Sequence, residues 1–347
     1  TMAEYSVVQD VAVIGLSSPP VNILWDRVKR AIQSGVEKAN QDKNVAAIVV
    51  YGKGGCFSVG GDINDLEALR AEGKVARWFP EKALEQSGKP IVAAVHGACV
   101  GGGLLLALLA HYRIAHEKSV LGLPEVKLGL VSVWGATQRI PRETNLKDAL
   151  EIITLGENFG AKKAKDIGLI DQITSGNILD EGIKFAQSIC GKPFKHLITS
   201  KMEVQDKAHA EQLLQDALMK AKKVLPGRLA PVMCIKSVEA AVKAKTFEEG
   251  EEISEQFARV AFYSGQALAL QYAFMAEKAA TKWQLPGGYN NRTVKGRPLK
   301  SGCVIGTGTM GTGIAMAMLN VGIPVVLIEQ NEKAIFESGC VGPALFV

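Results

Sequence analysis

Residues 95–142, VHGACVGGGLLLALLAHYRIAHEKSVLGLPEVKLGLVSVWGATQRIPR, hold two features from which the chain can be read. The first is the triple glycine Gly101, Gly102 and Gly103, which opens an apolar run of helical character. The second is Glu125, a single carboxylate inside LGLPEVKLGL. A carboxylate in apolar company is a candidate for chemistry, because desolvation raises its pKa toward the neutral working range.

Upstream, KPIVAAVHG (89–97) reads as a buried strand that ends in small residues and runs into the glycine helix. Val45–Tyr51, VAAIVVY, is nearly all apolar, as for a parallel strand covered on both faces, and it leads into the glycine-rich loop GKGGCFSVGGDI. Residues 6–16 read as a further strand, and Trp25, Val28, Ile32, Val36 and Ala39 mark an amphipathic helix. Downstream, Arg113–His116 and Ser119–Leu121 look like short strands, and Leu146–Gly191 has a helical pattern. This alternation predicts α/β layers with ligand-binding loops at the carboxyl ends of the strands. From Lys201 to Trp283 the sequence is helix-periodic without strands, its aromatic residues reading as core.

QLPGGYNNRTVKGRPLKSG is the clearest linker. After it, a strand leads into Gly306, Gly308 and Gly311 in GxGxxG spacing, a helix follows, and a second strand ends in Glu329. In that context the motif is a dinucleotide-binding fingerprint: the glycines admit pyrophosphate to a helix N-terminus and the acid takes ribose hydroxyls.

At 347 residues the chain is expected to form two domains, or one with an appendage. A hydrophobic share of 47% with 22% charged residues fits a globular protein. The net charge of +5 is dispersed, which argues against a nucleic-acid surface and is compatible with a small anionic ligand. Six widely spaced cysteines suggest neither a zinc ribbon nor a disulfide scaffold, and no HExxH, GxSxG or Walker motif is present, so no metal is expected. The N-terminus lacks signal-peptide features, and the longest apolar run, Val100–Ala110, is too short for a membrane span.

The motifs PPVN, FSVGGDI, KPIVAAVHG, GGGLLLAL, HYRIAH, GLPEVKLGL, GATQRIPR and SGQALALQYAF resemble the crotonase (enoyl-CoA hydratase/isomerase) superfamily. With EKAATKW and GTGTMGTGI they resemble in particular the amino-terminal half of the fused enzymes of peroxisomal fatty-acid β-oxidation, which continue into a 3-hydroxyacyl-CoA dehydrogenase half. The resemblance implies an α/β fold, a crotonase-type ββα spiral in 1–200. A helical region in 201–284 would complete it, followed by a linker in 285–300, a truncated Rossmann βαβ fragment in 301–335 and a divergent tail in 336–347.

It also implies an acyl-CoA thioester as ligand and an oxyanion hole made by the backbone N–H groups of Gly61 and Gly102. Glycine allows close backbone approach, and a helix N-terminus favours developing negative charge. The family's hydratase pattern places one glutamate in GGGLEL and another in LPE; here the first position is Leu105 and the second is Glu125. Leucine neither holds water nor transfers a proton, so hydration is expected to be impaired. A shift from the 3-enoyl to the 2-enoyl thioester needs one carboxylate, and Glu125 can supply it. The alternative is a catalytically silent acyl-CoA-binding or structural partner protein.

Where the family has a Pro-Gly and double-glycine loop, this chain has Leu130–Ala136, with Val133 and Trp134 either narrowing the acyl tunnel or packing outward. Lys53 and Arg113 are weighed as contacts to CoA phosphates against ordinary surface cations. No cofactor is expected for the crotonase chemistry, and NAD only with a complete dehydrogenase half, of which Gly306, Gly308, Gly311 and Glu329 are the recognisable part. The resemblance implies a peroxisomal enzyme, monomeric or trimeric, although the chain ends Leu345, Phe346, Val347 without the Ser-Lys-Leu type of signal.

Overall fold

The structure, a computed structural model, describes residues 2–331 and 345–346. The chain divides into two compact units, Thr1–Ala276 and Glu277–Val347. Residues 332–335 of the expected nucleotide fragment, and the 336–347 tail apart from 345–346, lie outside the described residues.

The first unit opens with a hairpin, β1 (Ala3–Val8) and β2 (Val11–Leu16). The sequence suggested one strand here. Gln9 adopts a left-handed φ of +57° and turns the chain, leaving β1 largely exposed while every residue of β2 is buried. After α1 (Asp26–Gln41) come β3 (Ala47–Gly52), α2 (Leu66–Ala71), α3 (Glu81–Glu85) and β4 (Ile91–Val95). Next are β5 (Ala98–Val100), α4 (Gly102–Leu108), β6 (Tyr112–His116) and β7 (Val120–Gly122). After α5 (Ala136–Glu143), the segment expected to be helical contains α6 (Leu146–Leu155), α7 (Ala161–Asp166) and α8 (Ile178–Ile189). It also contains two strands, β8 (Phe159–Gly160) and β9 (Gln172–Thr174), too short to impose a period-2 pattern.

The main sheet runs β1-β2-β3-β4-β6-β9, parallel from β2 onward. Its apolar strands are covered on both sides. Ala12, Ile14, Ile48, Val50 and Ala93 face one core with Val28, Ile32 and Val36 of α1. The alternate residues Val11, Ala47, Val49, Val92 and Ala94 face another with Ala186 and Ile189 of α8. A small sheet, β5-β7-β8, stands beside the main one. Four helices follow, α9 (Ala210–Val224), α10 (Leu229–Lys243), α11 (Phe247–Phe262) and α12 (Gly265–Ala280), and α10 packs against α5, α6, α9 and α11.

In the second unit, β10 (Gly302–Ile305), α13 (Thr309–Asn320) and β11 (Val325–Ile328) form a parallel βαβ arrangement, with β12 (Leu345–Phe346) beside β11.

Candidate active site

Loops that follow β3, β5 and β7 meet at one place. The first carries FSVGGDI. Ser58 ties it to the small sheet, its N–H donating to Ala98 O at 3.1 Å and its own carbonyl accepting from Val100 N at 3.1 Å. The Ser58 hydroxyl donates to Asn22 O at 2.6 Å and accepts from Gly60 N at 3.1 Å. Asn22, from the PPVN segment, donates to Lys53 O and Cys56 O, both at 2.9 Å. The second loop is the triple glycine. Gly60 has a φ of +86°, and a Cβ there would stand 2.5 Å from the Gly102 amide nitrogen, so the two loops touch only because this residue is glycine.

The third loop brings Glu125, on a single 3-10 turn over Pro124–Leu128. Its Oε1 lies 3.0 Å from where a Cβ on Gly101 would stand, and Gly101 has a φ of +56°. Its Oε2 is buried without a hydrogen-bond partner. Burial pushes the carboxyl up to about 7, against a smaller downward pull from its own backbone N–H and the Ser132 hydroxyl. Leu105, whose N–H donates to Gly101 O at 3.1 Å, stands one turn into α4 and is 1% exposed. The expected residues Gly102, Leu105 and Glu125 are thus gathered around Gly101, and Gly61 lies beside Gly60 at the loop contact.

Trp134 packs inward over these glycines. Its Cζ3 lies 2.7 Å from the point where a Cβ on Gly102 would stand, and its Cη2 lies 3.8 Å from the corresponding point on Gly61. The indole stacks on Phe79 with ring centroids 4.5 Å apart, and its Nε1–H donates to Arg77 O at 2.7 Å. The same residue lines a cavity of about 780 Å³ with Phe79, Glu81, Val133, Gly135 and Glu251, among others. Burial, with the neighbouring Glu251 carboxylate, pushes Glu81 up to about 7. Nothing in the spacing of FPEKAL signals this residue, since its burial depends on α11 far along the chain.

Arg113, weighed as a CoA contact or a surface cation, is neither. It is buried, with its guanidinium bonded to Glu143 at 2.7 Å, Leu169 O at 2.7 Å and Ala110 O at 2.8 Å. Lys53 pairs with Glu4. Among the described residues no group of histidine, cysteine and acidic side chains could hold a metal ion.

In the second unit, Gly306, Gly308 and Gly311 surround the start of α13. No atom lies within 4 Å of the point where a Cβ on Gly308 would stand, which leaves the backbone there open to a phosphate. Glu329 accepts from Thr307 N at 2.7 Å, Gln330 N at 2.8 Å and Asn331 N at 3.2 Å, and these bonds hold its carboxyl below the usual range.

The family profile for enoyl-CoA hydratase/isomerase matches residues 7–227, and that for the 3-hydroxyacyl-CoA dehydrogenase NAD-binding domain matches residues 302–339. A peroxisomal bifunctional enzyme of Danio rerio is 40% identical over 97% of this chain, and that of Homo sapiens 38% identical over 96%. The chain spans 46% of the length of each of these relatives. A solved structure of a carnitinyl-CoA dehydratase from Mycobacterium avium 104 shares the fold. It has a TM-score of 0.56 at 24% identity and covers 79% of this chain and 96% of its own. With its glycine loops joined beside a buried carboxylate and its sequence matched over most of the first unit, the chain belongs to the enoyl-CoA hydratase/isomerase family.

Proposed function

We propose that this chain shifts the double bond of a 3-enoyl-CoA thioester to the 2-enoyl position within peroxisomal fatty-acid β-oxidation. The observation that carries this reading is the Glu125 carboxyl, buried beside Gly101 with Oε2 unpartnered and its pKa up to about 7. As carboxylate it takes a proton from the α-carbon, and the electron pair moves into the thioester to give a dienolate. The N–H groups of Gly61 and Gly102 receive the charge on oxygen, and Glu125 returns the proton to the γ-carbon. A pKa near neutrality suits both halves of this transfer. Hydration requires a second polar group to hold the water, and Leu105 supplies none. The peroxisomal setting is drawn from the names of the relatives.

Gly306, Gly308, Gly311 and Glu329 fit a dinucleotide, with the open backbone at the start of α13 for the pyrophosphate and Glu329 for the ribose. NAD, when bound, supplies a hydride acceptor for a hydroxyacyl thioester, and no step of the double-bond shift draws on it. α12 covers the site's outer shell, Gln271 donating to Leu128 O at 3.2 Å, which supports a monomer over a trimer; light scattering tests this.

The catalytic reading is tested by a paired assay of 3-enoyl-CoA isomerisation and 2-enoyl-CoA hydration. Isomerisation lost in Glu125→Gln, with hydration weak throughout, is expected. Appreciable hydration that disappears in Leu105→Ala would overturn it. The indole against Gly102 favours a second reading, an acyl-CoA-binding protein without chemistry. That reading predicts no isomerisation and acyl-CoA binding unchanged in Glu125→Gln.

A further inference from the structure

The position of Trp134 has a physical cost and a specific set of restraints. Its backbone takes a φ of +58°, a region rarely occupied by a bulky side chain, and Gly135 follows at +74°. The indole is held by three residues from two segments. Arg77 O accepts its N–H at 2.7 Å, Phe79 stacks beneath it, and the Lys29 ammonium stands 5.5 Å from the ring centroid. Lys29 is itself fixed by Asp26 at 2.7 Å and Trp78 O at 2.6 Å. The ring atoms that face Gly102 and Gly61 are Cζ3, Cε3 and Cη2, all on the benzo edge. The same side chain lines the cavity of about 780 Å³, with Val133 and Gly135 on either side of it in sequence.

We propose that Trp134 is a gate over the oxyanion hole and the residue that sets thioester affinity, an inference that rests on the proposed use of Gly61 and Gly102. In the closed position the benzo edge occupies the approach that a thioester carbonyl must take to come within about 2.7–3.1 Å of the two N–H groups. Opening turns the indole back into the adjoining cavity. The two consecutive left-handed residues, Trp134 and Gly135, are the hinge, and the hydrogen bond to Arg77 O with the Phe79 stack is the latch. A ligand that binds only the open form has its apparent affinity reduced by the fraction of molecules that are open.

The test is calorimetric titration of the full chain and of Trp134→Phe and Trp134→Ala with butyryl-CoA, a saturated thioester, alongside the isomerisation assay. Phenylalanine removes the benzo edge yet keeps a ring to stack on Phe79. Binding about tenfold or more tighter in both variants is expected. Equal or weaker binding in Trp134→Phe overturns the gate. A Trp134→Phe chain that no longer melts cooperatively also overturns it, because the indole would then be a structural wedge. Tighter binding with no isomerisation in any form upholds the gate and rejects the acid–base role of Glu125. Isomerisation that depends on Glu125, with butyryl-CoA affinity unchanged in Trp134→Phe, does the reverse.

Discussion

Replacing Glu125 by glutamine is expected to remove activity and at the same time to gain stability relative to the native protein as pH rises from 5 to 8. Burial takes the carboxyl from an ordinary 4.5 to about 7. Because the folded pKa is the higher one, the native state binds a proton that the unfolded chain releases between these values. The stabilisation is therefore complete below 4.5 and is lost as pH rises through 7. At roughly 1.4 kcal/mol per pKa unit the whole effect is on the order of 3 kcal/mol, most of it falling between pH 5 and pH 8. Glutamine stays neutral throughout. Its own burial cost is common to both pH values and cancels in the difference. Urea unfolding of the first unit's transition in the native and Glu125→Gln proteins at pH 5 and pH 8 reads this directly. The variant should gain on the order of 2–3 kcal/mol relative to the native protein on going from pH 5 to pH 8. An unchanged gap between the two proteins would refute the argument, because it would mean that the carboxyl ionises alike in the folded and unfolded chains.

Three other substitutions report on the frame of the site. In Gly60→Ala the new Cβ would stand 2.5 Å from the Gly102 nitrogen, at a φ of +86°. It should cost about 1–3 kcal/mol and, by parting the two loops, about 100-fold in isomerisation rate, measured by chemical denaturation and steady-state assay. Arg113→Met leaves Glu143 buried without its cation, bonded to the Thr199 hydroxyl, and should cost about 3–5 kcal/mol by thermal unfolding, while butyryl-CoA affinity of the folded protein is unchanged. Gly129→Ala places a Cβ 2.7 Å from the Ala267 Cα at a φ of +74°, so it should lift α12 from the shell and lower stability by about 1–3 kcal/mol, visible as faster amide exchange in α12.

The sequence made the parallel strands legible because the main sheet is covered on both faces, so VAAIVVY and PIVAAV carry unbroken apolar runs. It made the glycines and Glu125 legible because their neighbours are apolar and their motifs specific. It did not disclose the β1–β2 hairpin, since the turn rests on Gln9, a residue without turn preference. Nor did it disclose Arg113 as a buried strut, because its partners Glu143, Leu169 and Ala110 are brought to it by the fold. The direction in which Trp134 points depends on Phe79, Arg77 and Lys29, from two distant segments, and no local pattern carries that information.

The proposed function and the proposed gate give Leu105 and Trp134 a common part. In the proposed reaction one carboxylate moves one proton, and water competes with the α- and γ-carbons for it. A second carboxylate at 105 would bring a like charge toward Glu125, splitting the two ionisations and providing an anchor for water. Leucine there adds no charge, so burial stays the largest influence on the Glu125 pKa, against the smaller pull of its own backbone N–H and the Ser132 hydroxyl. The indole of Trp134 lies on Gly102, at the start of the helix that carries Leu105, and lines the cavity. Restoring the carboxylate is therefore not enough to restore hydration. Leu105→Glu alone should leave 2-enoyl-CoA hydration within about tenfold of the native level, and Trp134→Phe alone should leave it equally low. The double variant should exceed either by about 100-fold, the lower bound for regaining an acid–base group. Additive effects in this cycle would show that the two positions act independently, and would separate the leucine from the gate.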